Sequence, residues 1–153
     1  MTIEDIIAMM TGLEHVIAQT AASGDGSPEI AWGDTFFYYS PDGAIPPTQP
    51  FATIVTKDYP GNGRSMLDRP GAFRVNVAPG RAAFHRWAGD EPHNLPETVD
   101  ASIRDVVIAH PVYGSLGWLA VVEPGPATEA VLAELLFDAY RLARRRYRRR
   151  RVT

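Results

Sequence analysis

The sequence predicts an α+β domain: an antiparallel sheet of about five to six strands, flanked by an N-terminal helix and a long C-terminal helix. Three observations predict it. Apolar residues recur at helical spacing near both ends of the chain. Between them lie short strand-like runs, separated by Gly, Pro, Asn and Asp clusters of turn composition. Strands bracketed by helices, rather than alternating with them, do not make a parallel sheet.

Each element has its own signal. Thr2 caps the first helix with Asp5 in the capping-box position; Ile3, Ile6, Ile7, Met10 and Leu13 form its apolar face, and Gly12 weakens its end. Val16 to Ala21 reads as a strand and Ser23 to Pro28 as a turn. Ile30 to Tyr39 is the clearest strand; it pairs as an antiparallel hairpin with Phe51 to Thr56, across the turn at Ser40 to Gly43 and the Pro46-Pro47 loop. Residues 57–70 are loop-rich around Tyr59 to Gly63. Phe73 to Val77 alternates apolar and polar residues, as a half-buried strand does. Gly80 to Ala88 forms a short helix with Phe84 and Trp87 at i, i+3, and Gly89 to Pro96 a loop. Val106 to Ala109 and Trp118 to Val122 are further strands. Thr128 caps the last helix, whose stripe is Val131, Leu132, Leu135, Leu136, Ala139 and Leu142.

The 153 residues make one domain, 1–153, with a basic helical tail at 141–153. The absence of cysteine excludes disulfides, thiolate metal sites and a cysteine nucleophile. No apolar run reaches the ~20 residues of a membrane span. The acidic, amphipathic start does not read as an export signal, so a cytoplasmic, membrane-free protein is expected. Charge is divided unevenly. Residues 1–140 hold 18 acidic and 7 basic groups, while residues 141–153 hold 8 arginines and no acid. The body repels phosphate at long range and the tail attracts it.

Four segments carry a resemblance: Ile30 to Tyr38, Phe51 to Pro60, Asp68 to Asn76 and His110 to Gly114. Together they resemble an uncharacterised bacterial domain-of-unknown-function family over nearly the whole chain, which implies no activity. More distantly, Gly33-Asp34-Thr35-Phe36, Phe51-Ala52-Thr53, Trp118 and Ala139-Tyr140 are similar to the layout of the MmcQ/YjbR-like proteins. That likeness implies a small α+β fold of double-wing type, and no catalytic residues.

Four groups carry candidate chemistry. In the tail, Arg144, Arg145, Arg148 and Arg149 are candidates for a nucleic-acid or protein partner, since guanidinium forks hold phosphate and Tyr147 could stack on a base. Alternatively the arginines offset the helix dipole, or bind the acidic body or a second copy. On the middle strands, Arg74 and Asn76 share a face, with Arg69, Lys57 and Asp58 nearby, as a cluster for a carboxylate or oxyanion; alternatively they are the solvent face of the sheet. His110 is a candidate acid/base because an unperturbed histidine titrates near neutrality, and Tyr113 and Trp118 follow it. His15, His85, His93 and His110 lack ligand spacing, so no metal is expected. Asp34 lies in the aromatic run with Trp32, Phe36 and Tyr38, either as a raised-pKa base or paired with an arginine such as Arg74.

The expected function is binding of an unknown small molecule, or cofactor-free acid/base catalysis, in a pocket at the sheet rim. Its candidate catalytic groups are His110 and Asp34, and its candidate ligand contacts are Trp32, Lys57, Arg69, Arg74, Asn76, Tyr113 and Trp118. No cofactor is expected. The rival readings are an interaction or homo-oligomer module docking its basic helix on an acidic partner, and a nucleic-acid-binding module, which the acidic body disfavours.

Overall fold

The capping box forms at the N-terminus. Asp5 N–H donates to Thr2 Oγ1 at 3.0 Å and Thr2 N–H to Asp5 Oδ2 at 2.9 Å, so side chains take up donors that the start of a helix leaves free. The structure, a computed structural model, describes residues 1–61, 63–89 and 100–152. His93 and, but for Gly89, the loop expected to Pro96 lie outside the described residues. The chain runs α1 (Ile3–Thr11), β1 (Val16–Thr20), β2 (Thr35–Tyr39), β3 (Ala52–Val55), β4 (Arg74–Val77), α2 (Arg81–Ala88), β5 (Val107–Ala109), β6 (Leu119–Val122) and α3 (Glu129–Val152). The six strands form one sheet in the order β1-β2-β3-β4-β6-β5, every neighbouring pair antiparallel. The fold is α+β, and the hairpin is present as β2 with β3, Thr35 opposite Ile54.

The long strand expected from Ile30 is cut short. Glu29–Ala31 is a turn of 3-10 helix, and Gly33 takes φ 91° before β2 begins. That left-handed conformation interrupts an extended strand. Trp32 therefore does not share a strand face with Phe36 and Tyr38.

The two faces of the sheet are covered differently. On one face, Phe37, Ile54, Val75 and Val121 join a single core with Ile6 and Met10 of α1, Phe84 of α2 and Leu132, Leu135 and Leu136 of α3. Only Phe84 of the Phe84/Trp87 pair is buried, Trp87 being exposed. By alternation, the other face carries Thr53, Val55, Arg74, Asn76, Ala120 and Val122. Loops cover it: Leu67 and Ala72 pack with Val55 and Val122, and Ala101 with Ile108 and Ala120. All of β4 is consequently buried. Arg74 and Asn76 are not a solvent face, because the segment between β3 and β4 folds back over them.

α3 is fastened at both ends. The sequence predicts Thr128 as its cap, but the Thr128 hydroxyl donates to Asp105 Oδ1 at 2.5 Å. The same carboxylate accepts the N–H groups of Gly125, Ala127 and Thr128 at 2.8 to 3.0 Å. Asp105 sits at φ 57°, a left-handed position that aspartate tolerates better than most residues. Farther along, Tyr140 OH donates to Glu14 O at 3.0 Å, and Tyr147 meets Tyr39 edge-on with ring centroids 5.4 Å apart.

Candidate functional site

The covered face of the sheet holds two polar groups of contacts. The first surrounds Asp34, fully buried just before β2. A carboxylate in that position costs several kcal/mol unless it is paired and hydrogen-bonded, and donors meet both of its oxygens. Oδ1 accepts from Thr56 N–H at 2.9 Å, Thr56 Oγ1 at 3.1 Å and Lys57 Nζ at 3.4 Å, and Oδ2 from Tyr59 OH at 2.5 Å. The cation paired with Asp34 is thus Lys57 rather than Arg74. Lys57 also donates to Trp32 O at 2.5 Å, and the Trp32 indole N–H donates to Ser27 O at 3.2 Å. Burial, with the Asp34 hydrogen bond second, pushes the Tyr59 phenol above its usual range, so it remains a proton donor to Asp34.

The second group surrounds Arg74, only 4% exposed. Its Nε donates to Asn76 Oδ1 and its Nη1 to Ser65 Oγ, both at 2.8 Å, while Nη2 lies 3.3 Å from His110 Nε2. Asn76 Nδ2 donates in turn to Thr53 Oγ1 at 2.9 Å. Among the described residues no carboxylate forms a salt bridge with Arg74. Burial lowers its pKa, but a guanidinium remains charged. His110 Nδ1 accepts the N–H groups of Val112 and Tyr113 at 3.0 and 2.9 Å. Donors therefore face both ring nitrogens, an arrangement that disfavours the imidazolium, which has no acceptor. Burial first, and the Arg74 guanidinium second, lower the His110 pKa to about 3. The imidazole is neutral at neutral pH, whereas the sequence suggests a group titrating there. Tyr113, about half exposed, lies beside its ring with centroids 5.0 Å apart. The two candidate bases, the Asp34 carboxylate and His110 Nδ1, are already engaged by donors.

A different opening lies at the end of the sheet where β2 finishes and β3 and β6 begin. It is a groove of about 500 Å³, a size usual for small-molecule sites. Tyr39, Phe51, Trp118 and Ala143 are among its lining, and Arg81, Arg146 and Arg150 supply its charge. A family model matches residues 1–152. The chain belongs to the DUF6194 family, a family of unknown function. No curated protein and no solved structure matches it. The family agrees with the whole-chain resemblance read from the four segments. The MmcQ/YjbR-like relationship is not shown, and agreement there stops at the α+β class. DUF6194 membership brings no catalytic residue, so the sites rest on their own geometry.

In this DUF6194 chain the residues expected to act together are divided. Asp34 and Lys57 meet around one carboxylate; Arg74, Asn76 and His110 meet around one guanidinium, with Tyr113 against the His110 ring. Arg69 braces loops: its Nε donates to Met66 O at 2.7 Å and its Nη2 to Ser65 O and Ser102 O at 3.3 and 3.4 Å. Trp118 alone of the ligand candidates lines the groove. Arg145, Arg148 and Arg149 are exposed on α3, and Arg144 lies over the Tyr140 ring at 5.4 Å. Tyr147 is partly buried against the core rather than presented for stacking on a base. Arg146 and Arg150, which line the groove, belong to the arginine-rich tail but not to the four residues singled out in it. Helical phase points to them: Leu132, Leu136, Ala139, Ala143, Arg146 and Arg150 follow one another in steps of four and three, which keep to one face. Among the described residues no three His, Asp or Glu gather as metal ligands, and no helix is long and apolar enough to cross a membrane.

Proposed function

We propose that this protein binds a small amphiphilic anion in the groove at the sheet rim. One observation carries the reading: the face of α3 that packs on the core continues past the sheet as Arg146 and Arg150, so an apolar seam turns cationic inside a groove with an aromatic wall. Trp118, Tyr39 and Phe51 suit the apolar body of a ligand, and a guanidinium fork suits a carboxylate or phosphate. Burial holds the Tyr39 phenol above its usual range, and among the described lining residues the other ionisable groups are arginines. Such a lining favours binding over proton abstraction. The Asp34 and Arg74 networks support the sheet from its other face.

The test is a fluorescence titration with 8-anilinonaphthalene-1-sulfonate, an anionic amphiphile, beside its uncharged relative N-phenyl-1-naphthylamine. Saturable binding of the anion is expected, weakened about tenfold or more in an Arg146→Gln/Arg150→Gln variant, as loss of charged hydrogen bonds implies. Binding that is equal for both probes, or unchanged in the variant, would exclude this function.

A further inference from the structure

A second cleft, of about 620 Å³, lies between the start of α2 and α3, and shares Gly80, Arg81, Leu142 and Arg146 with the rim groove. Among the described residues that line it are two arginines of α2, Arg81 and Arg86, four of α3, from Arg141 to Arg146, and one acid, Asp138. Arg141 donates to Asp138 at 2.5 Å, so that carboxylate is already engaged. Guanidinium groups gathered in one cleft repel one another. Three further observations have the same sign. Gly80 precedes α2 with no side-chain cap, and the first-turn N–H groups, which have no carbonyl of their own helix to reach, belong to residues 81–83 in the lining. That turn holds no acid and opens on Arg81, the reverse of what a helix dipole favours. Arg144 Nε is buried with no hydrogen-bond partner among the described residues.

We propose that this cleft binds phosphate, and that the ligand of the two connected sites is a phosphorylated compound with a flat apolar body, of the nucleoside-diphosphate class. Its phosphates occupy the arginine cleft at the start of α2, and its ring occupies the rim groove beside Trp118. Phosphate fits better than a single carboxylate, because guanidinium forks and backbone N–H groups converge here, and phosphate offers three strong acceptor oxygens. The ring half rests on the rim-groove reading; the phosphate half does not.

Calorimetric titrations at low salt with inorganic pyrophosphate, adenosine diphosphate, an oligothymidylate and a hexaglutamate peptide test both halves. Pyrophosphate is expected to bind, and adenosine diphosphate to bind about tenfold more tightly through its ring. Arg141→Gln/Arg145→Gln, at two exposed positions, is expected to weaken both about tenfold or more while leaving the naphthalene sulfonate probe bound. Arg150→Gln is expected to leave pyrophosphate unchanged. Oligothymidylate binding above that of adenosine diphosphate would support phosphate recognition and assign its source to a nucleic-acid strand. No binding of pyrophosphate, no effect of the double substitution, or tighter binding of hexaglutamate would overturn the phosphate cleft. Equal affinity for adenosine diphosphate and pyrophosphate would overturn the link between the sites. Loss of naphthalene sulfonate binding alone would remove the rim-groove reading and leave this cleft standing.

Discussion

Acidification from pH ~7.5 to ~5 is expected to destabilise the fold by about 2 kcal/mol through His110 alone. The magnitude follows from its surroundings. The folded protein holds this imidazole neutral down to about pH 3, because it is buried beside Arg74 and its Nδ1 already accepts two backbone N–H groups. In the unfolded chain a histidine takes up a proton below pH ~6.5. The unfolded state therefore binds more protons throughout the window from about 6.5 down to 3. Stability from this group is full above the upper limit and falls with pH below it, by about 1.4 kcal/mol per unit once the unfolded histidine is protonated. Urea denaturation between pH ~5 and ~7.5 measures the slope, in a range above that in which ordinary carboxylates titrate. A His110→Gln variant removes the titrating group and flattens the profile. A wild-type profile already flat over this range, or a slope that survives the substitution, would refute a buried neutral His110.

Two further perturbations probe the polar framework. Asp34→Ala leaves the Lys57 ammonium, the Tyr59 hydroxyl and Thr56 N–H without their shared acceptor, and is expected to cost about 3–5 kcal/mol in urea denaturation. A loss under about 1 kcal/mol would show that water replaces that carboxylate without difficulty. Asp105→Ala removes the acceptor of three backbone N–H groups at the start of α3, and is expected to cost about 1–2 kcal/mol with faster amide exchange in the first turn of that helix. Unchanged exchange there would contradict the capping role.

The parts of this fold that are legible in sequence are those with a local repeat. The Thr2 and Asp5 box, the alternation through Val75 and Val77, and the stripe through Leu132, Leu135 and Leu136 each place a residue by the period of its own element. The cover on the second face is not local. Leu67 reaches Val122 from a loop fifty-five residues earlier in the chain, and no period in either segment announces the contact. The same holds for Asp105, whose neighbours in sequence give no sign that it holds α3. Asp34 was a recognisable misfit in an aromatic run, but the choice between Lys57 and Arg74 depends on sheet register. With Thr35 opposite Ile54, Thr56 and Lys57 fall just beyond the strand end, within reach of that carboxylate. Arg146 and Arg150 were legible from helical phase, but eight arginines in so short a stretch draw attention to density rather than to direction.

The contact of Tyr147 with Tyr39 has a thermodynamic consequence. A basic segment of this kind, left unanchored, would order itself only on meeting an anion, and that ordering would be subtracted from the affinity. Here the ring is set against the sheet, and Arg146 and Arg150 flank it on a helix already formed. The backbone entropy of this stretch is spent in folding rather than in binding. A fixed set of cations selects among anions by the spacing of their charges, where a flexible one would respond mainly to total charge.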